Sequence, residues 1–157
     1  MKKKSSLAKE LTAFLTVMLC GIVLNFIIVL YSKINYNTII NNKFIVFISF
    51  QLIFMAICIY MIYELRYIIG NIAKGNVFCN INANKFNIIG KCMLTIGILD
   101  TIANIHSNIN GTVLISIFGW VIKPTILIYI ILASLAFILA QIFQDAVRIK
   151  KENDLTI

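Results

Sequence analysis

Residues 125–143 read TILIYIILASLAFILAQIF, nineteen residues with no charge, in which Ser134 and Gln141 are the only polar side chains after the first position. At 1.5 Å per residue a helix of that length covers roughly 28 Å, close to the thickness of a bilayer's hydrocarbon core. A run like this one is a membrane span. The rest of the chain has the same composition: 61% of its 157 residues are hydrophobic and 13% charged. Soluble chains run at about 45–50% and about 25%. One proline and seven glycines exclude collagen-like or linker-rich classes.

Working outward, Pro124 stands where a helix tolerates it, in the first turn, and Lys123 closes the stretch before it. Residues 112–122 are apolar but too few to cross, the length of a short outer segment that is interfacial or re-entrant. One helix over 112–143 would be roughly 48 Å long and would bury Lys123, so the sequence argues against it. Residues 88–105 form a weaker span interrupted by Lys91 and Asp100, with Asn80, Asn82 and Asn84 as candidate helix starts before it. Residues 44–63 and 11–31 are uncharged and long enough to span. After the former, Leu65, Ile68, Ile69 and Ile72 share one helical face opposite Arg66, Asn71 and Lys74, the pattern of an interfacial helix over 64–75 that stops at Gly75. Lysines 2–4 before the first span suggest a signal peptide, but no small-x-small cleavage site follows, and Leu19 is too large for lipoprotein processing at Cys20. The expected fold is all-α: an integral membrane four-helix bundle in a single domain, with residues 144–157 as a cytoplasmic tail.

The net charge of +8 raises the question of nucleic acid, but the basic residues sit at the ends of apolar runs, without the basic and aromatic interleaving of a nucleic-acid platform. No direct nucleic-acid binding is expected. Ten basic residues, Lys2, Lys3, Lys4, Lys9, Arg66, Lys74, Lys85, Arg148, Lys150 and Lys151, fall on one side of the spans, and three, Lys33, Lys43 and Lys123, on the other. The positive-inside rule then places both termini and the middle loop in the cytoplasm. Tyr63 and Tyr67 at the inner edge and Tyr31, Tyr36, Trp120 and Tyr129 at the outer one fit aromatic belts. The basic ring would also attract anionic lipid, at about 1 kcal/mol per residue.

Asp100 is the most costly residue in the chain, because an ionisable group within a bilayer needs a partner or water. Lys91 is nine positions away on the opposite helix face, a rise of roughly 13 Å, so it is not that partner. Lys91 snorkels to the inner headgroups instead. Along ideal helices Asp100, Asn25 and Gln51 lie roughly 18, 21 and 20 Å from the inner edge. They are expected to face each other with Asn104 or Thr101 nearby, either as interhelical hydrogen-bond glue or as a ligand or ion site. His106 stands without a second ligand, and Cys20, Cys58, Cys79 and Cys92 lack C-x-x-C spacing, so neither a metal nor a disulfide framework is expected. Asn110–Thr112 is a chance glycosylation sequon. Asp145, three residues before Arg148, supports helix past Phe143, while Glu152, Asp154, Leu155 and Ile157 put acids and apolar groups at the carboxyl end.

Residues 65–90, LRYIIGNIAKGNVFCNINANKFNIIG, and 139–157, LAQIFQDAVRIKKENDLTI, resemble the bacterial family called domain of unknown function 2975, small four-helix membrane proteins. The resemblance rests on the Gly75-x-x-Phe78 turn, Asn82, Gly90 and the terminal residues 152–157. Asn87 departs from it, standing where the family has a basic residue. Members are often encoded beside a small helix-turn-helix transcription regulator, so the resemblance implies a membrane partner for such a regulator. It implies no chemistry.

No nucleophile, base and orienting group converge, so no enzyme and no cofactor is expected. The leading expectation is a regulatory interaction protein of the bacterial plasma membrane, touching a cytoplasmic partner through Arg66, Lys74, Phe78, Asn82, Glu152, Asp154, Leu155 and Ile157. The alternatives are a small transporter or ion-binding homo-oligomer using the Asp100 layer, and an immunity or envelope-stress protein.

Overall fold

A computed structural model describes residues 2–35, 42–104, 115–117 and 120–154. Its elements in order are α1 (Lys2–Asn35), α2 (Asn42–Ala73), α3 (Asn80–Asn104), β1 (Ile115–Ile117), β2 (Trp120–Ile122) and α4 (Thr125–Asp154). Tyr36, His106, the sequon at 110–112, and Leu155 and Ile157 lie outside the described residues.

All four helices are long and apolar enough to cross a membrane. With 34, 32, 25 and 30 residues they run from roughly 38 to 51 Å, so each exceeds a hydrocarbon core of about 30 Å. The segment expected as a separate interfacial helix is continuous with the second span: α2 passes Tyr63 and Glu64 without a break. In place of an apolar segment of undetermined form, Ile115–Ile117 pairs antiparallel with Trp120–Ile122, Ile115 opposite Ile122 and Ile117 opposite Trp120. A two-stranded ribbon retains open edges, and lipid offers no hydrogen bonds to satisfy them, so it belongs at the water-facing boundary.

The chain forms two compact units, Met1–Ile69 and Gly70–Ile157. In the first, α1 and α2 present Phe14, Val17, Leu24, Ile28, Ile53 and Tyr60 outward. Large apolar surfaces are costly in water and are what a helix shows to lipid. The hydroxyls are satisfied within their own helices, as a bilayer demands: Thr16 donates to the Thr12 carbonyl at 2.8 Å and Ser49 to the Ile45 carbonyl at 2.9 Å.

In the second unit α3 and α4 pack antiparallel along a seam of small residues. Gly90 and Gly97 on α3 and Ala133, Ala136 and Ala140 on α4 are buried. Seven residues separate the two glycines, two turns on one face. Each admits a ring-bearing residue of α4, Phe137 at Gly90 and Tyr129 at Gly97. Without a hydrophobic drive between helices in lipid, this close approach is the main source of attraction.

Both ends of α4 are set by local chemistry. Pro124 opens it, with the Lys123 carbonyl accepting from the Ile126 N–H at 3.3 Å and the Pro124 carbonyl from the Leu127 N–H at 3.0 Å. At the other end Arg148 and Asp145 pair at 3.3 Å, the i, i+3 support expected for helix beyond Phe143. Both side chains are well exposed, so the pair contributes little to stability.

Candidate functional site: the α2–α3 turn and the end of α4

The turn between α2 and α3 is built from asparagines. Gly75 takes φ 87°, a left-handed conformation that only glycine adopts without strain. That conformation lets the Gly75 N–H reach the Ile72 carbonyl (3.1 Å) and the Asn76 N–H reach the Asn71 carbonyl (3.0 Å). Together these two bonds form a Schellman cap that ends the helix. Cys79 then caps α3, its carbonyl accepting from the N–H groups of Asn82 (3.0 Å) and Ala83 (3.4 Å). The sequence offered Asn80, Asn82 or Asn84 as starts, and α3 begins at Asn80.

Asn82 has a different task from capping. Its side chain is 0% exposed. Its Nδ2 donates to the carbonyls of Asn76 (3.1 Å) and Val77 (2.9 Å), and its Oδ1 accepts from Asn71 Nδ2 (2.9 Å). One carboxamide thus ties the end of α2, the turn and the start of α3 together. A group sealed in this way cannot touch a partner directly, so Asn82 positions the turn and is not part of an outer surface.

What the turn presents is Phe78, 53% exposed. Its ring lies 6.0 Å from that of Phe143 on α4, which stacks in turn on Phe86 at 5.3 Å and 26°. Spacings of this kind are favourable for aromatic pairs. The three rings hold the turn against α4 where that helix starts its last stretch toward Asp154. Arg148, Ile149, Lys150, Lys151 and Glu152 are exposed there, and Lys74 is exposed beside the turn.

The other predicted residues are distributed between the two units. Arg66, in the first, is exposed. Asn25 and Gln51, also in the first, line one cleft of about 350 Å³ between α1 and α2. Asp100, in the second, accepts a hydrogen bond from the Thr125 hydroxyl at 3.2 Å. Thr101 donates to the Gly97 carbonyl at 2.8 Å, and Asn104 is the last residue of α3. Among the described residues no cluster of three or more His, Cys, Asp or Glu side chains forms. All four cysteines are free thiols. Sequence reasoning missed Glu64, whose side chain is 1% exposed within α2. Its only advance signal was an acid flanked by the apolar runs 44–63 and 67–69.

Four lipid-length helices with apolar outer faces define a multi-pass membrane protein. Residues 2–157 match the model of a family described as "protein of unknown function (DUF2975)", and the chain belongs to that family. No curated protein and no solved structure matches it.

Proposed function

We propose that this chain is a non-enzymatic protein of the bacterial plasma membrane with both termini inside, and that its α2–α3 turn and the end of α4 form a docking platform for a cytoplasmic protein. The observation that carries this reading is the clamped turn. Asn82 and the Schellman cap fix its backbone while Phe78 stays half exposed on top of Phe143. A fixed backbone with an exposed aromatic binds at lower entropic cost than a mobile loop does. Beyond Phe143, α4 continues as helix to Asp154, roughly 16 Å, carrying mixed charge and the exposed Ile149. Charge on both sides of an apolar anchor suits a protein surface better than a small ligand.

The family context favours a small helix-turn-helix regulator as the partner, held at the membrane away from DNA. The experiment pairs the full chain in mild detergent with the regulator encoded beside it and measures binding for wild type, Phe78→Asp and a chain ending at Lys151. Both variants should lose most of the affinity. Equal affinity for all three, or none for wild type, would overturn the reading. Positions of the ten inner basic residues also favour attraction to anionic lipid around the platform.

A further inference from the structure

Three lysines of the second unit are exposed and enter no ion pair among the described residues: Lys74 beside the α2–α3 turn, and Lys150 and Lys151 near the end of α4. Arg148 differs, being paired with Asp145 at 3.3 Å. Lys150 and Lys151 follow the buried Val147 at i+3 and i+4, so they continue, one turn on, the face of α4 that carries Ala136 and Ala140. Lys74 stands four residues before Phe78, whose ring packs on Phe143 of α4. Ile149, between Arg148 and Lys150, is 55% exposed. An apolar side chain therefore stands bare beside ammonium groups that have no counter-charge.

We infer that the platform takes an acidic amphipathic segment of its partner, with carboxylates at Lys74, Lys150 and Lys151 and an apolar side chain over Ile149. This rests on the docking reading above and adds the chemistry of what docks. Charge and height decide among the occupants. The inner end of α1 carries four lysines, at 2, 3, 4 and 9, against Glu10, so the chain's own segment is repelled by this patch. A second copy brings the same excess, ten basic residues on the proposed inner side against Glu10, Asp145, Glu152 and Asp154. Lipid headgroups supply anions but stand too low. On an ideal helix Ile149, Lys150 and Lys151 lie roughly 9–12 Å past Phe143, where the apolar run ends, and a headgroup layer is roughly 5–8 Å thick. A protein segment that bears carboxylates around an apolar side chain meets both the charge and the height.

The test measures, by fluorescence anisotropy, binding of a helical peptide of about sixteen residues to the full chain in phosphatidylcholine nanodiscs. The peptide has leucines at i, i+3, i+4 and i+7 and glutamates elsewhere, and its twin has glutamine for every glutamate. The acidic peptide should bind about tenfold tighter at low salt, the preference expected of three exposed charge pairs, and should lose that preference at high salt. Lys74→Gln, Lys150→Gln and Lys151→Gln together should abolish it, whereas Lys74→Arg, Lys150→Arg and Lys151→Arg should keep it. Equal affinity for the two peptides, or a preference that survives the glutamines, overturns the inference. A second arm places a nitroxide at Lys150→Cys in an otherwise cysteine-free chain, in nanodiscs containing phosphatidylglycerol. A water-soluble nickel chelate should reach it more readily than oxygen does; the reverse means that lipid covers the patch and overturns the inference. The regulator separates this inference from the reading beneath it. A regulator lost with Phe78→Asp but held by the triple glutamine variant leaves the platform standing and overturns its acidic ligand. Charge-selective peptide binding without any regulator bound keeps the acidic ligand and overturns the regulator as partner.

Discussion

Gly90 faces the ring of Phe137 so closely that a Cβ there would stand 2.6 Å from its nearest carbon. Seven residues on, a Cβ at Gly97 would stand 2.9 Å from the Cβ of Tyr129. The two contacts respond differently to substitution. A phenyl ring can swing aside, whereas the Cβ of Tyr129 moves only with the backbone of α4. Gly90→Ala should therefore cost about 1–3 kcal/mol and be largely rescued by Phe137→Leu. Gly97→Ala should cost at least as much and gain nothing from Tyr129→Ala, which keeps its Cβ. Thermal unfolding in a single detergent, run as two double-mutant cycles, checks both expectations.

Asn82→Ala removes three hydrogen bonds from the α2–α3 turn at once. Because Asn76 is exposed, water can replace part of what its carbonyl loses, so the expected destabilisation is about 2 kcal/mol and not the sum of three bonds. Asn82→Asp should be worse than alanine: a carboxylate would face two carbonyl oxygens to which it cannot donate. The readout is melting temperature together with the rate of tryptic cleavage after Lys74, which a loosened turn should raise.

The four apolar runs and a few local signals were legible because hydropathy, capping and i, i+3 pairing act locally: Pro124 before α4, Gly75 after α2 and the Asp145–Arg148 spacing that carries α4 past Phe143 were all readable from residue types alone. How far a helix extends beyond its apolar run was less so. Hydropathy marks where lipid ends and not where backbone hydrogen bonding does, so α1 begins at Lys2, ahead of the apolar run that starts at residue 11, and α2 passes Glu64 without the separate interfacial helix expected there. The ribbon at Ile115–Ile117 and Trp120–Ile122 lay in a short apolar run, where length and composition do not separate strand from helix. Glycines 90 and 97 share a face by spacing, yet which α4 residues fill them depends on a tertiary register no single helix encodes. The same is true of Asp100, whose partner Thr125 is twenty-five positions away.

That pairing gives a prediction of its own. The Thr125 hydroxyl donates to the Asp100 carboxylate, bridging the last turn of α3 and the first of α4. Asp100→Asn preserves an acceptor and should change stability little, whereas Asp100→Leu and Thr125→Val each remove one half of the bond. Their coupling in a double-mutant cycle should be about 1 kcal/mol. Coupling near zero would show that the bond does not form in the bilayer and that Asp100 is held by other groups.

Antiparallel packing of α3 and α4 sets which loops share a side. Position 74 lies just before α3 begins and position 150 near the end of α4, so both should face one compartment, with position 123, between the two helices, facing the other. By the positive-inside rule the charge asymmetry predicts that the first pair faces the cytoplasm. In otherwise cysteine-free chains, Lys74→Cys and Lys150→Cys should react with a membrane-impermeant maleimide in inside-out vesicles and be protected in intact cells, and Lys123→Cys should behave in the opposite way. Each substitution removes only one basic residue from an asymmetry of ten to three, too little to invert the chain, so reversed labelling at all three sites would contradict the assigned orientation and remove the proposed platform from the reach of a cytoplasmic partner.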